Sequence, residues 1–481
     1  MEDQHILQTQ LEQYAAYGPY PMHMPGHKRR ITPAPDLAFG WDMTEVTGVD
    51  DLHHAEGILA EAMERTAKLH GAARTWYLIN GSTCGLLAGI RALAPAGSHI
   101  IAARNCHKAV YHAIELGGLH AHWLTPPIDA EFGVYGSISP EMVSAQLEQH
   151  PDAACVVLTS PTYEGVISDI AAIAQLCHSR NIPLLVDEAH GAHLGLAEGW
   201  PESAVHLGAD LIVQSAHKTL PSLTQTALLH LGKNSLADPD AVARQLGIFE
   251  TSSPSYPLMA SLDGCTGMLA AMGKPMFRNW KSNLERFDEA VSGLEHLKVL
   301  CHGTDPIEIH PDFFAFDPGK LAISTASTGY TGSTLAELLL ERFGFETEMS
   351  CGNITLAMTS LCDAPGAIDH FAQALLELDR EASPAERPAG ASILAAPGKA
   401  VHTIAETILL PSEAIPLQNA ADRVSAEYIW AYPPGVPLVA PGEVITREFL
   451  NCAADLLRSG TELRHTICKT GGSIQVCLDK L

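Results

Sequence analysis

The chain has 481 residues, more than one hydrophobic core usually supports, so a large domain with one or two smaller ones is expected. Its 46% apolar and 17% charged residues are those of an ordinary globular protein, and its formal charge of −26 argues against a nucleic-acid or anionic-membrane partner, since phosphate surfaces demand a basic footprint. The same charge attracts small cations, or serves only solubility. The eleven cysteines are scattered singly with no Cys-x-x-Cys pair, which suits a reducing cytoplasm and suggests neither a disulfide framework nor a zinc ribbon.

Residues 1–30 read as an arm. A polar helical pattern without the basic and apolar regions of a signal peptide leads into Tyr20-Pro21-Met22-His23-Met24-Pro25-Gly26-His27-Lys28, where proline and glycine break regular structure. No uninterrupted apolar stretch reaches membrane-spanning length.

From residue 31 to about 275, short apolar runs alternate with helical patterns. The runs are Thr75–Ile79, His99–Ala102, Ala154–Leu158, Leu184–Val186 and Leu211–Val213. This βα rhythm predicts a mainly parallel sheet covered on both faces, with function at the C-terminal ends of its strands. A long helical stretch through Trp280–Phe287 opens a smaller α+β domain over 276–380. Residues 381–397, rich in Pro, Ala and Ser, read as a linker before a C-terminal domain over 398–481.

Five strand ends carry polar groups. Asn80-Gly81-Ser82-Thr83-Cys84-Gly85 stands between a strand and a helix, where backbone N–H groups and two hydroxyls can bind a phosphate. Capping of that helix by Ser82 or Thr83 explains the pattern nearly as well. Arg104-Asn105-Cys106-His107-Lys108 puts His107 at the mouth of the sheet, to stack on a flat cofactor, to shuttle a proton, or merely to cap a helix. Asp187 ends an apolar strand, where a carboxylate needs a partner such as a protonated ring nitrogen. His190-Gly191-Ala192-His193 invites a metal reading, but glycine spoils the helix that such spacing wants, and no metal site is expected.

Lys218, within Ser215-Ala216-His217-Lys218, follows Asp187 by 218 − 187 = 31 residues, a gap that suits one helix plus one strand and sets the two on neighbouring strand ends. A lysine in a closed site loses its proton more easily and can attack an aldehyde, although an ordinary structural lysine is the simpler alternative. Thr251-Ser252-Ser253-Pro254-Ser255-Tyr256 is a hydroxyl-rich turn that could complete a phosphate cup or be a plain loop. Together these are the parts that pyridoxal 5'-phosphate (PLP) requires: a phosphate cup, an aromatic lid, a carboxylate for the pyridine nitrogen and a lysine for the aldehyde.

With Met24-Pro25-Gly26-His27-Lys28, Asp50-Asp51-Leu52-His53, Ser160-Pro161-Thr162-Tyr163, Asp187-Glu188-Ala189-His190-Gly191, Tyr432-Pro433-Pro434-Gly435 and Pro441-Gly442-Glu443 added, the chain resembles the bacterial ornithine/lysine/arginine decarboxylase family over most of its length. The resemblance implies an α/β fold of the fold-type-I PLP-dependent class, with smaller α+β C-terminal domains. It implies that Ser82, Thr83, Ser215 and His217 bind the phosphate and His107 stacks on the ring. Asp187 pairs with the pyridinium, Ala189 packs beneath the ring with His190 beside it, and Lys218 forms the Schiff base. It also implies a homodimer in which Ser252 reaches the partner's phosphate. The chain opens at the arm without the N-terminal wing domain of larger members, so a dimer or a dimer of dimers is expected rather than a decamer.

The implied reaction is decarboxylation of arginine, lysine or ornithine to the amine and CO2, with His107 or Lys218 as the acid that protonates Cα. For the substrate's distal cation Glu348 is the preferred carboxylate and Glu443 the second, with Tyr432 a further candidate. Surface acids are common in so negative a chain. Transamination, aldol cleavage or elimination on the same scaffold, and a catalytically silent regulatory homologue, are the competing readings.

Overall fold

The computed structural model describes residues 20–22, 26, 28, 50–385, 397–432, 436–458, 462–468 and 472–478. Among these a central sheet of seven strands forms: β1 (Arg74–Leu78), β2 (His99–Ala103), β3 (His120–Leu124), β4 (Ala153–Thr159), β5 (Leu184–Asp187), β6 (Leu211–Gln214) and β7 (Ala227–Leu231). Their spatial order is β1-β7-β6-β5-β4-β2-β3. Strands β2 to β6 are parallel, and β7 lies antiparallel between β6 and β1. The C-terminal ends of β1, β2, β4, β5 and β6 therefore share one edge.

Both faces of the inner strands are buried, which is why β4, β5 and β6 are so largely apolar. Cys155 and Val157 of β4 and Leu211 and Val213 of β6 face one core with Ile90 and Ile114. The alternating Val156, Leu158 and Ile212 face another with Ile173 and Cys177. Each such side chain contributes about 1.5–3 kcal/mol on burial.

The sequence pattern does not announce β3 or β7. Edge strand β3 reads His-Ala-His-Trp-Leu, too polar for a buried run, and β7 returns after only the four-residue helix Ala216–Thr219, outside the βα rhythm. A second departure lies between Asp187 and Lys218. No helix occupies 188–210; turns cross it, with Gly195, Gly199 and Gly208 at φ of +70°, +81° and +95°. Glycines at left-handed positions make a crossover helix unfavourable here. The two residues still reach adjacent strand ends, because β5 and β6 pair directly.

The flanking helices are α1 (Ile58–His70), α2 (Gly81–Leu93) after β1, α3 (Lys108–Gly117) after β2, α4 (Pro140–Gln149) before β4, and α5 (Ile170–Ser179) between β4 and β5. After the short α6 (Ala216–Thr219) come α7 (Pro239–Phe249) and α8 (Tyr256–Val291). Helix α8 runs for 36 residues and holds Pro275 in its interior, so the domain boundary expected at 275 falls inside one helix. Its Phe277, Trp280 and Phe287 pack with Leu220 on one side and with Leu321, Ile323 and Phe371 on the other, which holds the helix through the proline.

The smaller domain is an antiparallel sheet of β8 (Lys298–Val299), β9 (Lys320–Ser324), β10 (Met349–Cys351) and β11 (Ile354–Met358), ordered β8-β9-β11-β10. Strand Tyr20–Met22 of the arm pairs parallel with Phe345–Thr347, so the arm is bound to this domain. In the last segment, strand Ser412–Pro416 pairs with Ser473–Cys477, and Ile429–Tyr432 lies between Pro437–Val439 and Glu462–His465. Most of the expected linker, 386–396, lies outside the described residues. Among the described residues no helix is long and apolar enough to cross a membrane.

Candidate active site

Strand β1 delivers the chain to the N-terminus of α2. The N-cap is Asn80, which makes no side-chain cap bond; its amide donates instead to the Phe249 carbonyl at 3.2 Å. Ser82 and Thr83 sit inside the first turn, not at the cap, so capping does not account for them. Gly81, at φ +77°, makes the sharp entry that a side chain would strain. Uncapped N–H groups with two hydroxyls at a helix start form an anion site.

Strand β6 delivers Ser215, fully buried, with an Oγ that has no hydrogen-bond partner. A buried hydroxyl in that state costs about 1–3 kcal/mol, which an acceptor anion relieves. His217 holds Nδ1 2.8 Å from the Thr226 carbonyl, so that nitrogen carries the proton. These features fit a phosphate group.

Asp187, at the end of β5, is 2% exposed, and its Oδ1 accepts the Ala189 N–H at 3.2 Å. Burial raises its pKa to about 6, against the pull of Lys218 and of the Ala189 amide. A buried carboxylate so poised fits a cationic ring nitrogen, which favours its charged form.

Lys218 lies in a chain of three nitrogen bases. Its Nζ is 3.0 Å from Nε2 of His190, and Nδ1 of His190 is 2.9 Å from Nζ of Lys320 on β9. Burial and the two lysines hold the His190 pKa well below its usual value, so the ring is neutral, with one N–H and one lone pair. It can accept from one ammonium only; the other lysine must be a free amine accepting the imidazole N–H. Burial lowers the pKa of Lys218, with Asp187 and Glu348 opposing, and brings Lys320 down to about 8. One of these amines is thus deprotonated near neutrality, the condition for a nucleophile.

His107 is the N-cap of α3, its Nδ1 accepting the Ala109 N–H at 3.2 Å. Burial, Lys218 and Lys108 push its pKa to about 3. It therefore presents a neutral ring, which suits stacking and not donation from an imidazolium.

Glu348 follows strand Phe345–Thr347 and accepts a hydrogen bond from the Tyr163 hydroxyl, while the Tyr163 ring stands edge-on to His190 with centroids 4.6 Å apart. Its charge acts on Lys28, Lys218 and Lys320 together. Lys28 is buried, with Nζ 2.6 Å from the Met358 carbonyl. Glu443 is elsewhere engaged. It is 3% exposed, and its Oε2 takes Arg104 Nη2 at 3.0 Å and the Ala440 N–H at 2.9 Å, so its charge is already balanced. That pairing leaves Glu348 the better placed of the two carboxylates to receive a substrate cation. Tyr432 ends strand Ile429–Tyr432; its side chain lies outside the described residues.

The two histidines of His190-Gly191-Ala192-His193 take different partners: His190 lies between the lysines, while His193 Nε2 meets Asp317 Oδ1 at 3.1 Å. Ser252 is exposed, on a turn whose Thr251 carbonyl lies 2.9 Å from His53 Nε2 and whose Tyr256 hydroxyl donates to the Asp50 carbonyl. Asp50 in turn accepts the N–H groups of Glu56, Gly57, Leu59 and Ala60 at the start of α1. The Asp50-Asp51-Leu52-His53 motif thus fixes the turn that carries Ser252. Lys320 escapes sequence reasoning, since Asp317-Pro318-Gly319-Lys320 reads as a surface turn; Tyr163 and Lys28 were visible as motif members without a role.

Sequence profiles described as "Orn/Lys/Arg decarboxylase, major domain" and "Orn/Lys/Arg decarboxylase, C-terminal domain" match residues 6–364 and 392–462. The Bacillus subtilis protein YaaO is 34% identical, and the Bacillus subtilis arginine decarboxylase 32% identical, each match covering 95% of both chains. The constitutive lysine decarboxylase of Escherichia coli is 26% identical, over 84% of this chain and 68% of its own. Among solved structures, lysine decarboxylase A of Pseudomonas aeruginosa superposes with a TM-score of 0.73 at 19% identity, covering 99% of this chain and 83% of that one, which shows a shared fold. With a half-buried lysine and a buried carboxylate on adjacent strand ends and profile matches over both parts of the chain, this protein belongs to the Orn/Lys/Arg decarboxylase family, whose reaction is the PLP-dependent decarboxylation of a basic amino acid.

Proposed function

We propose that the chain decarboxylates L-arginine, with PLP held by Ser82, Thr83, Ser215 and His217 at the phosphate, His107 and Ala189 on the ring faces, Asp187 at the pyridine nitrogen and Lys218 at the aldehyde. The observation that carries this reading is the half-buried Lys218, its amine 3.0 Å from neutral His190 and one strand from buried Asp187. The preference for arginine rests on the 32% identity to the Bacillus arginine decarboxylases.

When bound, PLP supplies an aldehyde that condenses with an amine and a ring that accepts the electron pair left when CO2 departs. Asp187 keeps a proton on the ring nitrogen, because a cation beside it offsets the cost of its own burial. Lys218 would return a proton to the substrate's Cα, and His190 and Lys320 would resupply it from behind. His107 is set aside as that acid, since its ring stays neutral. Glu348, oriented by Tyr163, balances the lysines and receives the substrate's guanidinium, where a planar fork matches a carboxylate. Ser252 completes the phosphate cup of a partner subunit, in line with its exposure on a pinned turn.

The test is incubation of the holoenzyme with arginine, lysine and ornithine separately, following CO2 and the matching amine. Arginine should give the highest kcat/KM. Preference for lysine or ornithine would overturn the substrate assignment alone, and release of a keto acid without CO2 would overturn the reaction.

A further inference from the structure

At the sheet edge opposite the active site, four histidines collect. His99 opens β2, His120 and His122 lie two residues apart on one face of edge strand β3, and His150 follows the last turn of α4. His99 stands opposite His120 in the parallel register, and its ring stacks on His120 and His122 at centroid distances of 4.9 and 5.0 Å. His122 stacks on His150 at 3.3 Å. One nitrogen each from His99, His122 and His150 lie within 4.8 Å of one another, and His99 Nδ1 is 2.8 Å from His122 Nε2.

We propose that His99, His122 and His150 form a binding site for one divalent transition-metal ion of the imidazole-seeking class, with Zn(II) its simplest representative, and that Asp152 orients His99.

Three imidazole nitrogens on separate elements are the donor set of such ions, and at metal–nitrogen distances of about 2.0–2.1 Å tetrahedral ligands stand roughly 3.3 Å apart. The observed nitrogens bracket that spacing, and the last side-chain torsion of histidine is soft enough to re-aim the rings. His99 offers Nδ1 to the cluster, while its far nitrogen, Nε2, lies 3.9 Å from Asp152 Oδ2. That distance is longer than a hydrogen bond, and a small turn of the His99 ring on binding an ion would close it to the carboxylate–histidine arrangement that fixes the tautomer of a metal ligand. The three rings are half-buried, open to an ion from solvent.

The length of β2 separates His99 from Arg104 at the active edge, so the ion would act on stability and leave the decarboxylation chemistry alone. It would tie the outermost strand β3 to the end of α4 and reinforce the ladder that already joins β3 to β2.

The test uses tag-free holoenzyme, stripped of metal with a chelator and titrated with Zn(II) alone. One Zn(II) should bind per chain and raise the melting temperature, and Co(II) in its place should give visible ligand-field bands. His122→Gln and, independently, His150→Gln should each abolish that binding with decarboxylase activity retained, and Asp152→Asn should weaken it about tenfold. Failure of the wild type to bind one Zn(II) per chain, or equal binding by both glutamine variants, would overturn the site and leave a stack of aromatic rings. Because the readout is metal content, it is independent of the proposed substrate.

Discussion

Lys218 and Lys320 are joined through one imidazole: His190 sets Nε2 3.0 Å from the first amine and Nδ1 2.9 Å from the second. Lys218 follows the central sheet and Lys320 opens β9 of the smaller one, so the relay is assembled only when the two sheets pack together. Replacing Lys320 with Met removes a like charge from behind Lys218 and should raise the pKa of that amine, by up to about 1 unit. A pH titration of cofactor absorbance reads the same effect on the Schiff-base nitrogen that Lys218 would form. kcat should also fall about tenfold or more as the proton supply is lost. An unmoved absorbance titration would show that the relay is only structural.

Asp187 makes cofactor affinity depend on pH. Its pKa in the protein alone is raised to about 6, above the 3.8 of an exposed aspartate, so this carboxylate's contribution to the stability of the empty fold is lost as pH rises through about 6. A ring cation selects the ionised form. PLP should therefore bind at full strength above pH 6 and weaken by about tenfold per unit below it. Fluorescence titration at several pH values measures the slope, and Asp187→Asn, which cannot ionise, should remove the part due to this residue.

Removing the Lys218 amine in Lys218→Ala should reduce turnover by about 10²–10⁴-fold or more, with the cofactor retained non-covalently. Borohydride reduction followed by mass spectrometry checks the linkage: wild type should gain the cofactor's mass at Lys218, and the variant should not.

Glu348→Gln should raise KM for the basic substrate and lower kcat/KM by roughly 10- to 100-fold, the range for a hydrogen bond to a charged group. Tyr163→Phe, which leaves the carboxylate but frees its orientation, should cost less. Equal effects on arginine and on an uncharged analogue of the same length would remove Glu348 from substrate recognition.

Arg104 and Glu443 make the opposite prediction, stability without specificity. Breaking a buried pair by Glu443→Ala should cost about 3–5 kcal/mol, visible as a lower denaturation midpoint, while the double replacement by Met should cost less because no charge is stranded. KM should stay near the wild-type value in the double variant.

Much of this site was legible in the sequence because its cofactor-facing residues are local to strand ends. A run such as Leu184-Leu185-Val186 buries both faces of a strand, and the first polar residue after it, Asp187, has to emerge at the sheet's edge. The same logic placed Ser82, His107, Ser215 and Lys218. Spacing could not show that 188–210 is crossed by turns, nor that β7 returns antiparallel, since a long gap fits several connections. Side chains whose meaning lies in a distant partner were invisible or misread. Lys320 follows a turn-like stretch and becomes part of the site only through His190, 130 residues away. Glu443, expected as a second acceptor for the substrate's cation, is paired with Arg104, 339 residues away. Local order along the chain set which groups reach the sheet's active edge; their charge states and partners were decided by burial against segments far off in sequence, because desolvation and pairing act through space.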